Sequence, residues 1–240
     1  MKKRILPTLL AAAILTGCNG QNMIITDQNG QTISVSANEK NTYTFTLPSG
    51  ESDSLNWNPP FLDVNEKDWF YLPVRFCHEN NFISGTSANM FHPNTPASRA
   101  MIVTILWRLD GSPITGTNSF VDVPSDQYYT AAVSWAVESG IISGHSDNLF
   151  APNDNITREQ TASILYRYAE YHGWDTSAED VLDDFTDSHI ASAYAKNALC
   201  WATSHKIING IENHRLNPHG EATRAQIASI LRSFCLNVML

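Results

Sequence analysis

Three Ser/Thr-Arg dipeptides, Ser98-Arg99, Thr157-Arg158 and Thr223-Arg224, stand at matching points along the 240-residue sequence. Each precedes a run with helical periodicity, so the hydroxyl falls at the N-cap and the arginine at the first helical position. Thr157 with Gln160, and Thr223 with Gln226, spell capping boxes, in which hydroxyl and amide each satisfy a backbone N–H of the other's residue. Ser98 is followed by Met101 and keeps half of that arrangement. A guanidinium at this position faces free N–H groups and the positive end of the helix dipole, which is unfavourable unless something negative neutralises it. Two candidates fit: a fixed carboxylate such as Asp63, Asp122 or Asp187, or a bound anion held by arginine and helix N-terminus together.

These dipeptides belong to a threefold internal repeat. Phe61, Phe120 and Phe185 open copies spaced 59 and 65 residues apart. Each copy runs from an "FxD" opener through an aromatic helix and a glycine-turned loop to the capped arginine helix. Trp69, Tyr128 and Tyr194 correspond, as do Phe76, Trp135 and Trp201, Gly85, Gly144 and Gly210, and Phe91, Phe150 and Leu216. Units of this size bury their apolar faces against one another, so one copy alone is not expected to fold. In the second copy the first helix is expected over residues 129–139, with Ala132, Val133, Ala136 and Val137 on one stripe and Trp135 beside it. Gly140 supplies a left-handed stop, where the other copies place Asn81 and Lys206. Phe76, Trp135 and Trp201 read as core, whereas Trp69, Tyr128 and Tyr194 suit either core packing or stacking on a ligand.

Ahead of the repeats, "MKKRILPTLLAAAILTGC" has a basic start, an apolar stretch too short to span a bilayer as a mature helix, and small residues leading into Cys18. It resembles a bacterial lipoprotein signal, which implies removal of residues 1–17 and a lipid on Cys18. Residues 18–60 form a separate region. Its apolar/polar alternation around Asn29-Gly30 predicts a β-hairpin, "TYTFTL" offers a further strand, and Ser49 to Pro60 suit a linker.

The formal charge is −9, and losing Lys2, Lys3 and Arg4 leaves 12 basic residues against 24 acidic ones, or −12. Nucleic acid is thereby disfavoured as a partner, and any anion must be recognised locally. Cys77, Cys200 and Cys235 form neither a CxxC pair nor a disulfide framework, and they read as buried free thiols, although a Cys77–Cys200 bridge is geometrically conceivable. The eight histidines are scattered without metal-ligand spacing, so neither metal nor cofactor is expected. No GxSxG, HExxH or phosphate-loop pattern occurs, so no enzyme is expected.

The combined pattern, "FxDV…W…G…F-x-P…ITRxQ" three times in tandem, resembles the S-layer homology family over residues 61–234, 174 of the 240. The resemblance implies a mainly α fold, a pseudo-threefold helical spindle with a central bundle and three lobes, here preceded by the β-hairpin-like segment. Its repeats would span 61–109, 120–168 and 185–234, forming a monomer with an internal pseudo-trimer. It also implies grooves between neighbouring copies that bind secondary cell-wall polysaccharide, often through a sugar bearing an acidic pyruvate ketal, or modified peptidoglycan. Carried over by position, Arg99, Arg158 and Arg224 become ligand arginines, capped by Ser98, Thr157 and Thr223 with Gln160 and Gln226. Trp69, Tyr128 and Tyr194 become sugar-stacking rings, while Gly85, Gly144 and Gly210 let backbone approach the ligand. The third copy departs from the pattern in "FTDSHI" and at Leu216, so its groove is expected to differ. The function implied is a non-catalytic envelope anchor, with lipidated Cys18 at the membrane and the repeats on the wall. Alternatives are a protein–protein module with degenerate wall-binding repeats, or an accessory enzyme of wall metabolism.

Overall fold

Each copy supplies two α-helices to the computed structural model, which describes the backbone at 23–26 and 32–35 and residues 57–144, 148–179 and 182–239. Strands β1 (Met23–Thr26) and β2 (Thr32–Val35) pair antiparallel, Thr26 opposite Thr32. That is the expected hairpin; its Asn29-Gly30 turn, the "TYTFTL" segment, residues 1–17 and Cys18 lie outside the described residues. Helices α1 (Tyr71–Glu79) and α2 (Arg99–Leu109) belong to the first copy, α3 (Thr130–Glu138) and α4 (Arg158–His172) to the second, and α5 (Lys196–Ser204) and α6 (Arg224–Asn237) to the third. The end of the expected linker is not a free spacer, because the Trp57 ring meets Tyr71 edge-on at 5.1 Å and its carbonyl accepts from the Tyr71 hydroxyl at 2.6 Å.

The first helices stop where the sequence says they should. Asn81, Gly140 and Lys206 take φ of 59°, 70° and 55°, a left-handed turn that only glycine enters without strain. Phe76, Trp135 and Trp201 are buried with Ala132, Val133 and Ala136, in one core that runs through all three copies. Pairing crosses copy boundaries: α2 packs on α3, α4 on α5, and α6 returns to α1. The third contact closes the chain of copies into a ring. Cys77 and Cys235 come from the two helices of this closing contact, and both thiols are buried and outside any disulfide. Burial pushes both the Cys77 and Cys235 thiols up.

At its centre the ring is tied by the backbone. The Ala97 amide donates to the Ala222 carbonyl at 2.8 Å, Ala222 to Ile156 at 2.8 Å, and Ile156 to Ala97 at 2.9 Å. Each residue immediately precedes a helix cap. The first two N–H groups of every second helix also reach into the next copy: Arg99 and Ala100 donate to Asp154 and Pro152, Arg158 and Glu159 to Gly220 and Pro218, and Arg224 and Ala225 to Thr95 and Pro93.

Within each copy, the opener aspartate fixes the loop that these helices rest on. Asp63 accepts from the Phe91 and His92 amides at 2.8 and 2.7 Å, Asp122 from Phe150 and Ala151 at 2.8 and 2.7 Å, and Asp187 from Leu216 and Asn217 at 2.6 and 2.9 Å. The second residue of each pair, His92, Ala151 or Asn217, has a φ between 53° and 58°, so the carboxylate holds a backbone turn that is itself unfavourable. Partial burial alone would raise the pKa of Asp63 and Asp187, but the amide bonds outweigh it and both lie below the usual 3.8.

Two outcomes are expected. Asp122→Ala should lower the unfolding free energy by about 1–3 kcal/mol in urea titrations, with Asp122→Asn losing less because one acceptor remains; a change in Asp122→Ala below about 0.5 kcal/mol would contradict the clasp. Depressed carboxylate pKa values contribute stability that is fully present above about pH 4 and disappears as pH falls through the folded values. The melting temperature should therefore hold from pH 7 to about 5 and drop below about 4, less steeply in the Asp63→Asn/Asp187→Asn double variant.

Candidate grooves between the copies

The capped arginines sit where the sequence places them. Ser98 accepts from the Met101 amide, and Thr157/Gln160 and Thr223/Gln226 form complete capping boxes. A fixed carboxylate is not what neutralises the arginines. Among the described residues no carboxylate lies within salt-bridge distance of Arg99, Arg158 or Arg224. Asp63, Asp122 and Asp187 are already engaged with backbone amides. The helix N-termini are closed as well, since their first two amides bond to the next copy and the third to the cap hydroxyl. An anion can therefore meet a guanidinium here but not a bare helix end.

Each guanidinium instead grips the loop of the following copy. Arg99 Nε donates to the Phe150 carbonyl at 3.1 Å and Nη2 to Ser143 at 3.2 Å. Arg158 makes the same bonds to Leu216 (2.8 Å) and Asn209 (2.6 Å), and Arg224 to Phe91 (2.8 Å) and Ser84 (2.7 Å). The peptide at Phe91, Phe150 or Leu216 thus has its N–H on an aspartate of its own copy and its C=O on an arginine of the copy before. Arg99 and Arg224 also lie over the Phe150 and Phe91 rings, at 5.0 and 4.7 Å from the centroids, a contact that Leu216 denies to Arg158. Burial pulls the pKa of all three below the usual 12.5, yet arginine stays charged under such shifts.

The glycines have a packing reason before any ligand reason. A Cβ on Gly85 or Gly210 would fall 2.6 or 2.8 Å from the Phe61 or Phe185 ring, and one on Gly144 would collide with Phe120. The opener ring lies against the glycine, and in copies one and two it also meets the loop aromatic, Phe61 to Phe91 at 5.5 Å and Phe120 to Phe150 at 5.6 Å.

Two equivalent grooves result, each drawing on all three copies. One, of about 430 Å³, is lined by Arg224, the Ser84-Gly85 turn, the α2 face carrying Met101 and Arg108, and Tyr128. The other, of about 260 Å³, is lined by Arg99, the Ser143-Gly144 turn, the α4 face carrying Gln160 and Arg167, and Tyr194. Larger depressions of about 600 Å³ beside Glu179 and Lys206, and about 530 Å³ beside Trp107 and Pro113, contain no arginine. Trp69, Tyr128 and Tyr194 are 61, 62 and 56 % exposed, which decides against core packing for these rings. Tyr194 is fixed by a 3.1 Å bond from its hydroxyl to Glu159, and burial together with that carboxylate pushes its pKa up to about 12.

Arg108 and Arg167 escaped the sequence reading, although both stand nine residues after a capped arginine and an alignment of the copies exposes them. The role of the opener aspartates as amide clasps was equally hidden, because nothing local in "FxD" names a partner about 28 residues away. Among the described residues no cluster of three His, Cys, Asp or Glu side chains could hold a metal.

The sequence has relatives consistent with this geometry. It is 30% identical over 180 residues to an endoglucanase of Bacillus sp. (strain KSM-635), covering 75% of this chain and 19% of that enzyme. It is 33% identical over 159 residues to the surface-layer 125 kDa protein of Lysinibacillus sphaericus, covering 65% and 13%. With the cellulosome-anchoring protein of Acetivibrio thermocellus it shares 24% identity over 155 residues, covering 62% and 34%. The chain spans no more than about a third of the length of these relatives, and its match to the endoglucanase is confined to a fifth of that enzyme. The S-layer homology domain model matches residues 60–100, 119–162 and 184–228, more than half the sequence and one match per copy, and the chain belongs to the S-layer homology domain family.

Proposed function

We propose that this chain is a non-catalytic cell-envelope protein whose repeats bind acidic cell-wall polysaccharide through the grooves between copies. The observation that carries the reading is an exposed aromatic ring at the edge of each of two equivalent arginine-bearing grooves, on a protein of net charge −9. An exposed tyrosine offers a flat apolar face to a sugar ring, and a guanidinium offers paired donors to a carboxylate such as a pyruvate ketal. Secondary cell-wall polysaccharide and modified peptidoglycan both provide such groups. The relatives named for a surface layer and for cellulosome anchoring favour an envelope location.

In this reading residues 1–17 are a lipoprotein signal, Cys18 carries the lipid, and residues 18–60 connect the membrane to repeats at 61–109, 120–168 and 185–234. A diacyl anchor is enough for stable membrane residence, so the wall grip need not be tight. The cyclic helix pairing supports a pseudo-threefold spindle that acts as a monomer with three internal parts.

The arginines make poor first mutations, because each also holds two carbonyls of the neighbouring copy and its loss would confuse unfolding with lost binding. The exposed rings avoid that difficulty. The purified protein should co-sediment with cell-wall sacculi and lose this affinity when the acidic polysaccharide is stripped. Tyr128→Ala with Tyr194→Ala should weaken binding at least about tenfold, as expected for two lost stacking contacts, while Tyr128→Ala alone should weaken it less and leave the circular dichroism melt in place. Equal binding to intact and stripped sacculi would contradict the polysaccharide reading, and no binding to either would point to a protein partner.

A further inference from the structure

The three copies share one template but not one set of charges. The second helix of each presents matching residues seven positions apart: Met101 and Arg108 on α2, Gln160 and Arg167 on α4, and Gln226 and Ser233 on α6. The first two pairs line the cavities already described. Spacings of three, four and seven along a helix fall on one face, so Ser233 replaces a guanidinium at the equivalent point of the third copy.

The two floor arginines are also in different states. Arg108 Nη1 donates to the carbonyls of Phe82 at 3.0 Å and Asn81 at 3.5 Å, beyond the C-terminal end of α1. Arg167 is exposed and has no hydrogen bond or ion pair among the described residues. It lines the same cavity as Arg99 and Tyr194. That tyrosine is immobilised by Glu159, whose carboxylate also accepts from the Ser192 amide at 3.0 Å and hydroxyl at 2.7 Å and lies 3.6 Å from His219 Nε2. The other two copies have Ala100 and Ala225 where Glu159 stands, so neither Tyr128 nor Trp69 has such an anchor.

We infer that the grooves are unequal: the α4 groove, lined by Arg99, Arg167 and a fixed Tyr194, is the principal acceptor for an acidic sugar, and Arg167 selects the acid group. The α2 groove is a second, weaker acceptor. The equivalent surface of α6, where Ser233 stands in place of a guanidinium and Leu216 in place of a phenylalanine, does not discriminate acidic from neutral sugar. This rests on the polysaccharide reading proposed above and adds to it a ranking and a selectivity residue. The ring is prepositioned and the cation uncommitted, so binding needs neither a rotamer search nor the breaking of an existing bond.

Isothermal titration with size-fractionated acidic polysaccharide released from sacculi tests it, with the same material after chemical removal of its acidic groups as the neutral control. Arg167 is exposed and holds no neighbouring loop, so Arg167→Gln should keep the wild-type melt. It should weaken binding of the acidic fraction about tenfold or more, the loss of one charge-assisted contact, and leave neutral binding unchanged. Arg167→Lys should recover part of the loss. Arg108→Gln should have a smaller effect and Ser233→Ala none. If the wild-type protein binds the acidic fraction but Arg167→Gln changes affinity less than twofold, or no more than Ser233→Ala does, the ranking is overturned while wall binding stands. If the wild-type protein binds neither fraction, the polysaccharide reading and this inference fall together.

Discussion

Ala97, Ile156 and Ala222 donate to one another in a closed circle of backbone hydrogen bonds, and the grooves exist because that circle closes. Each bond alone contributes roughly 1 kcal/mol. Their joint consequence is geometric: every second helix starts at a fixed distance from the loop of the next copy, so its first amides and its arginine reach that loop at once. The return of α6 onto α1 makes the arrangement finite rather than an open stack. Open repeat arrays expose terminal apolar faces that need capping; a closed ring of three has none.

The arginine at the first helical position looks misplaced against the helix dipole until its surroundings are counted. Two backbone carbonyls of the next copy, and in two cases the face of a phenylalanine, supply negative potential where a fixed carboxylate was one of two candidates. The acid in the design acts one bond away. The opener aspartate holds the N–H of the same residue whose C=O the arginine holds, so the two charges work through a shared residue. This is why the arginine joins structure to function: its guanidinium has five donors, of which the carbonyls take two, and Arg99 and Arg224 still line cavities with exposed rings at their edges.

Much of this was legible in residue order. The presence of three copies, the caps at Ser98, Thr157 and Thr223, the left-handed stops at Asn81, Gly140 and Lys206, and the buried Phe76, Trp135 and Trp201 follow from periodicity and turn chemistry, which are local. The missing parts are non-local. Arginine bonds spanning 44 to 140 residues cannot be read from a motif, nor can closure of the helix N-termini by another copy's carbonyls. The glycines show the same limit from the other side. Their positions were evident, but that an opener ring 24 or 25 residues earlier occupies the space of a side chain became visible only in three dimensions. Exposure of Trp69, Tyr128 and Tyr194 was open in the sequence, because an aromatic beside a helical stripe reads equally as core or as surface.

The three copies form one cooperative unit locked by the central circle, without which no groove has its shape. Native-state hydrogen exchange at the amides of Ala97, Ile156 and Ala222 tests it most directly. All three should exchange only through global unfolding, with one shared protection free energy equal to that from denaturant titration. Exchange of any one of them at a markedly lower free energy would mean that a copy opens by itself, and would contradict the claim that the ring is closed as a single unit.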